Sequence, residues 1–173
     1  GSTLTANEYF DQINTLTEKL DQSMDDLGAT YAADLNTSID TLRLDRDLSD
    51  PAELAGFMSD LTDTAIAKTV VWLDGTEEPL RAFLAGMEDM SPPEDVQVAH
   101  DTMITATQNA IAVLPDTTAQ VRTVSTAVDL AVVVENSPFA EATSNLQNAC
   151  LALQTIAGDK EIDVQLSCGL GSS

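Results

Sequence analysis

The stretch that decides the fold class is residues 9–42, YFDQINTLTEKLDQSMDDLGATYAADLNTSIDTL. Apolar side chains recur in it every three or four residues, which is the spacing of one face of an α-helix. The members of this stripe are Tyr9, Ile13, Leu16, Leu20, Met24, Leu27, Tyr31, Leu35, Ile39 and Leu42. Their mean spacing of about 3.7 residues exceeds the roughly 3.5 of a left-handed coiled coil and predicts a nearly straight helix in a bundle. Gly28 lies within the stripe and marks either a bend or a close helix crossing.

Helix starts are marked by capping residues along the chain. Thr5, Asp50 and Ser91 each stand three residues before a glutamate, so their side-chain oxygens can accept hydrogen bonds from free amides at a helix start. Ser137 stands before a proline, and Thr76 opens an acidic first turn. These signals predict one domain over residues 1–173, with helices near 5–46, 50–73, 76–89, 93–135 and 137–157.

Two positions interrupt the helical pattern. Asp74 and Gly75 tolerate the left-handed conformation of a helix end, so we expect the second helix to stop at Leu73. Pro115 lies inside the fourth segment, where a proline removes a backbone hydrogen bond. The sequence therefore predicts either a kink near Leu114 or two helices joined there.

The pattern changes after Gly158. From Ile162 to Leu166 apolar residues alternate with polar ones, which predicts an extended strap with one edge facing the bundle. Cys168 ends the strap, and Cys150 lies in the last predicted helix. A disulfide between them would tether the strap and indicate an oxidising compartment, and two unpaired buried cysteines are the alternative. The predicted fold is all-α: a bundle of about five helices with a disulfide-tethered, extended C-terminal strap.

Charge restricts the classes of partner. The chain has 29 acidic and 7 basic side chains, a formal net charge of −22. Such a surface repels nucleic acid and anionic lipid, so we expect neither as a partner, and we expect a monomer. The longest apolar run, around Leu130 to Val134, is far shorter than the roughly 18 residues needed to span a bilayer. Gly1 and Ser2 resemble the remnant of an expression tag, so a signal peptide or lipid-anchor cysteine can have preceded Thr3.

Several short blocks occur in a recognisable order. They are residues 4–10 (LTANEYF), 90–93 (MSPP) with 98–100 (VAH), and 148–154 (NACLALQ) leading to 164–169 (VQLSCG). In this order they resemble uncharacterised secreted or lipid-anchored helical proteins of bacteria, which share a tyrosine-bearing first helix, a Pro-Pro helix start with a following histidine, and a C-terminal cysteine pair. The resemblance implies a cell-envelope location and a helical domain, and it implies no activity.

Few residues are suited to chemistry. His100 is the only histidine, so neither a histidine-rich metal centre nor a di-metal helical bundle is expected. Its position beside an apolar stripe predicts a structural histidine that hydrogen-bonds a neighbour. The sequence has no calcium-loop, phosphate-loop or nucleophile-elbow motif, and we predict no catalytic residue, cofactor or metal site. If a gap between helices forms a pocket, the candidate ligand contacts are His100, Tyr9, Tyr31, Trp72 and Met103.

Three function classes fit these observations. The leading hypothesis is a non-enzymatic extracellular or cell-envelope module that serves as a spacer or binds a partner protein. The second is a binder of a small apolar or cationic ligand in a cavity between helices. A hydrolytic enzyme comes last. An exposed apolar surface would favour the first class, an enclosed cavity the second, and a carboxylate pair in a cleft the third.

Overall fold

The fold is all-α in a computed structural model that describes residues 2–170. The elements are α1 (Ala6–Arg43), α2 (Pro51–Glu88), a 3₁₀ turn (Glu94–Val96), α3 (Gln97–Ala112), α4 (Leu114–Arg122), α5 (Ala127–Glu135) and α6 (Pro138–Asp159). Over residues 2–170 no β-strand forms, and no helix there is long and apolar enough to cross a membrane. The predicted all-α bundle is confirmed, with a slightly different number of helices.

Helices α1 and α2 form a long antiparallel pair. Each has 38 residues, which corresponds to about 57 Å of helix. A capping box starts α1: the Glu8 amide donates to Thr5 Oγ1, and the Thr5 amide donates to Glu8 Oε1, each over 3.2 Å. Asp50 caps α2 by accepting from the Ala52 amide at 3.0 Å. These two predicted helix starts are confirmed.

The predicted helix end at Asp74-Gly75 is wrong, because α2 continues through it to Glu88. The glycine instead lies where α1 approaches α2 closely. A Cβ at Gly75 would lie 2.8 Å from a methyl carbon of Leu27, and one at Gly86 would lie 2.6 Å from a methyl carbon of Leu16. Both glycines therefore allow α1 to pack closely against α2.

The long fourth segment is divided into three helices. It breaks at Val113, and Pro115 lies in the first turn of α4, so the alternative of two joined helices is the correct one at this point. A second break, not predicted, follows Arg122, and Thr126 caps α5 by accepting from the Asp129 amide at 3.0 Å. The predicted Ser91 cap is wrong: the 3₁₀ turn has no side-chain cap, and the Ser91 carbonyl accepts from the Leu4 amide.

The C-terminal strap lies along α6. Ser137 caps α6 as predicted, accepting from the Ala140 amide at 3.1 Å. The predicted disulfide is confirmed, since Cys150 is bonded to Cys168 with their Cα atoms 5.5 Å apart. Gln154 adds two hydrogen bonds to the strap backbone, from Nε2 to the Val164 carbonyl (2.9 Å) and from the Leu166 amide to Oε1 (2.7 Å).

The core covers only part of the α1–α2 pair. From Tyr9 to Met24 the inner side chains of α1 are buried. From Leu27 to Leu42 the same apolar stripe is only half-buried. Helix α3 packs on α2 and α6, while α5 packs on α2 and α4 beside the half-buried part of the pair. The candidate site lies beside the half-buried part of α1.

Candidate binding groove

An apolar groove of about 600 Å³ lies between α5 and the half-buried part of the α1–α2 pair. Three helices line it. The lining residues are Gly28, Tyr31 and Leu35 of α1, Leu61, Ala65, Thr69 and Trp72 of α2, and Ala127, Leu130, Ala131, Val134 and Glu135 of α5. Ala131 and Glu135 are exposed on its rim, so the groove is open to solvent.

Two aromatic side chains of the groove are held in place by neighbours. The Tyr31 hydroxyl hydrogen-bonds the hydroxyl of Thr69 across the helix pair, at 3.2 Å. Trp72 packs edge-on against Phe139, with ring centroids 5.9 Å apart and planes at 81°. Both rings are half-buried and line the groove. They provide apolar contact area without having to become ordered on binding, which limits the entropic cost of binding.

A second hollow of about 390 Å³ continues the groove towards the C-terminal tail. Gly28, Trp72 and Val134 line both hollows. The second hollow is the more polar one, because Thr143, Ser144 and Gln147 are part of its wall. An occupant that extends into the second hollow therefore meets more polar groups at that end.

Gly28 is not at a close helix crossing, so that expected alternative is wrong, whereas a bend at Gly28 stays a prediction. The helix runs unbroken from Ala6 to Arg43. A Cβ at Gly28 would have no atom within 4 Å, so no contact requires glycine there. A glycine inside a helix costs about 1 kcal/mol relative to alanine. What its missing side chain does provide is open space at the junction of the two hollows.

The charge around the groove is negative. Glu135 is the only charged side chain among the described residues that line the two hollows, and no lysine or arginine is among them. Elsewhere Arg46 pairs with Asp60 and Lys160 with Asp95. With 29 acidic and 7 basic residues in the chain, an occupant approaches this groove through a negative field.

The remaining candidate ligand contacts lie in the core. Tyr9 and Met103 are completely buried and His100 is 2% exposed. Nδ1 of His100 lies 3.0 Å from the Tyr9 hydroxyl, and the two rings pack edge to face. The predicted structural histidine with a hydrogen-bonded neighbour is therefore confirmed. Ligand contact by these three residues stays a prediction, whereas Tyr31 and Trp72 are the candidates that the fold brings together in a groove.

Burial decides the protonation of the Tyr9–His100 pair. It lowers the pKa of His100, although the nearby Asp101 carboxylate and a hydrogen bond with the Met87 backbone favour the charged ring. Burial also raises the pKa of the Tyr9 phenol, and Asp101 adds to that shift. At neutral pH the phenol is thus protonated and the imidazole neutral; in the tautomer that carries its proton on Nε2, Nδ1 accepts a hydrogen bond from the Tyr9 hydroxyl.

Most groove residues were not predicted as site residues. Leu35 belonged to the predicted stripe of α1, but its half-exposure depends on how much of that stripe the other helices cover. Leu130 and Val134 become part of the site only because α5 packs beside α2. Besides the predicted contacts Tyr31 and Trp72, the signal in the sequence was Gly28, a glycine inside an otherwise regular apolar stripe.

Within residues 2–170 no group of three or more His, Cys, Asp or Glu side chains is placed to hold a metal ion. No protein-family model, no curated protein and no solved structure matches this chain.

Proposed function

We propose that this chain is a non-enzymatic extracellular or cell-envelope module that binds a partner protein through the apolar groove between α1, α2 and α5. The observation that carries the proposal is the open groove with two positioned aromatic rings, Tyr31 and Trp72. Aromatic side chains that are already held in place are the usual anchors of protein interfaces. A spacer alone would need no such groove.

The Cys150–Cys168 disulfide supports the proposed location, because disulfides persist in oxidising compartments such as the cell exterior. The acidic surface supports a soluble, well-separated module at that location. The resemblance to secreted or lipid-anchored helical proteins of bacteria is part of the same proposal.

Two observations favour a second candidate, the binding of a small apolar or cationic ligand. The groove volume of about 600 Å³ falls within the range of small-molecule sites. Its one charged lining residue, Glu135, would attract a cation. The groove is open along its rim, however, and an enclosed cavity would suit a small ligand better.

The test uses the only tryptophan of the chain as the reporter, because Trp72 lines the groove. A neutral apolar dye, Nile red, is titrated into the protein while Trp72 emission and dye emission are recorded. We expect saturable binding that changes both signals. A chain that acts only as a spacer would bind no dye in the groove.

A matched pair of variants locates the binding site. Ala131→Phe fills the groove from its exposed rim, and Ala67→Phe adds the same side chain at an exposed position of α2 outside the groove. We expect the first to weaken dye binding and the second to leave it unchanged. Equal binding by both variants would refute the groove as the binding site.

A further inference from the structure

No helix packs over one side of the half-buried part of the α1–α2 pair, among the residues that the structure describes. The apolar stripe of α1 continues with regular spacing through Tyr31 and Leu35, but its buried part ends at Met24 and the stripe beyond it is only half-buried. Helix α5 packs beside α2 and leaves the groove between itself and α1. Three helices thus surround a space where a four-helix arrangement would have its fourth member.

The length of this space along α2 matches a short helix. Its lining on α2 runs from Leu61 to Trp72, which corresponds to about 17 Å along the helix axis, or three helical turns. The groove is open along its rim, so a segment can enter from the side. An amphipathic helix would place side chains spaced three and four residues apart against Leu35, Leu61 and Leu130.

The negative charge of this chain favours some helical occupants of the groove over others. A second copy of this chain would bring another −22 to the interface, and like charges that face each other across an interface oppose association. A helix with lysine and arginine beside its apolar stripe would meet the negative surface at the rim, including Glu135, with complementary charge. The apolar stripe of such a helix would face Tyr31 and Trp72.

From these three observations we infer that the occupant of the groove is a basic amphipathic helix of about three turns from a partner protein. This helix completes a four-helix arrangement with α1, α2 and α5. This inference rests on the proposed function and specifies its partner. Gly28, which lines the groove, agrees with it: this glycine costs helix stability, and the absence of any atom within 4 Å of a Cβ there leaves room for side chains of the incoming helix.

The test uses a synthetic peptide of leucine and lysine, roughly 14 residues long, with leucines placed at helical intervals of three and four. Free peptides of this length are only marginally helical in water, so binding should raise their helicity, seen by circular dichroism. The peptide contains no tryptophan, and binding should shift the emission of Trp72 and displace Nile red. A scrambled peptide of the same composition shows what charge alone contributes.

Gly28→Leu is the decisive variant. It places a side chain in the open space at the junction of the two hollows and replaces a poor helix former by a good one, so the protein should remain folded. The matched control is Ala33→Leu, at an exposed position of the same helix outside the groove. We expect Gly28→Leu to weaken peptide binding about 30-fold or more, the size of an interface hot spot, and Ala33→Leu to leave it unchanged.

The outcomes separate the two proposals. If the leucine-lysine peptide binds both variants equally, or the scrambled peptide binds as well, attraction to the acidic surface explains binding and the inference is overturned. If Nile red binds the groove but the peptide does not displace it, the groove takes a small apolar ligand, and the inference of a helical partner fails. If neither binds, the proposed function fails as well. A concentration-dependent dimer in sedimentation, with Trp72 emission shifted on dimerisation, would identify a second copy as the occupant.

Discussion

The disulfide-tethered strap allows a quantitative stability prediction. Replacing both Cys150 and Cys168 by alanine should lower the free energy of unfolding by about 3 kcal/mol. The estimate follows from the sequence separation of 18 residues, because the open chain gains the loop entropy that the disulfide had removed from the unfolded state. The variant keeps Gln154, whose side chain makes two hydrogen bonds to the strap backbone in the disulfide-bonded protein.

Urea unfolding followed by far-ultraviolet circular dichroism measures this loss. The slope of the free energy with urea should also increase, because an uncrosslinked unfolded chain exposes more surface. Gln154→Ala is the contrasting variant: it keeps the disulfide and removes two hydrogen bonds to the strap, and should cost about 1 to 3 kcal/mol with no change in slope.

Amide exchange at Leu166 shows what the strap itself does. Its amide donates to Gln154 Oε1, so exchange at this position reports whether the strap stays on α6. We expect protection to fall in the double alanine variant by more than the global loss of stability. A double variant that loses less than about 1 kcal/mol, with unchanged slope and unchanged Leu166 exchange, would refute the loop-entropy account.

Three further predictions test the core, its histidine and the surface charge. Met103→Ala should lower the free energy of unfolding in urea by about 2 to 5 kcal/mol, because it opens a cavity at a completely buried site. Ser91→Ala should change it by less than about 0.5 kcal/mol, because Ser91 caps no helix. The reverse order would mean that the assigned core is wrong. Burial lowers the pKa of His100 in the folded protein, so as the pH falls His100 becomes protonated in the unfolded chain before it does in the folded one. Stability should therefore be retained above about pH 6.5 and fall as the pH drops towards 5. The urea midpoint of His100→Gln should vary less over this range, and an equal slope in both proteins would assign the effect to other groups. The melting temperature should rise from low to moderate NaCl, because screening reduces repulsion within a chain of net charge −22, and a flat or falling curve would contradict this.

Local features allowed several elements to be predicted from the sequence. The caps at Thr5, Asp50 and Ser137 depend on hydrogen bonds between residues two or three positions apart, and the structure has all three. The Ser91 cap failed although its local pattern was equally good. Its backbone carbonyl accepts from Leu4, a residue far away in the chain, and the 3₁₀ turn that follows has no side-chain cap. A capping pattern describes only what its own segment can do.

The sequence by itself determined the helical class, the long amphipathic α1, the strap and its disulfide, because each depends on side-chain spacing or on chemistry between nearby residues. Only the tertiary structure decided the role of Gly75, which looked like a helix end and instead allows Leu27 to pack closely. The tertiary structure also decided the hydrogen-bond partner of His100, which is the hydroxyl of Tyr9, 91 residues away in the sequence. The groove was likewise decided by the tertiary structure. A regular apolar stripe predicts which face of α1 turns inward. The length of that face that stays uncovered depends on where the other helices pack.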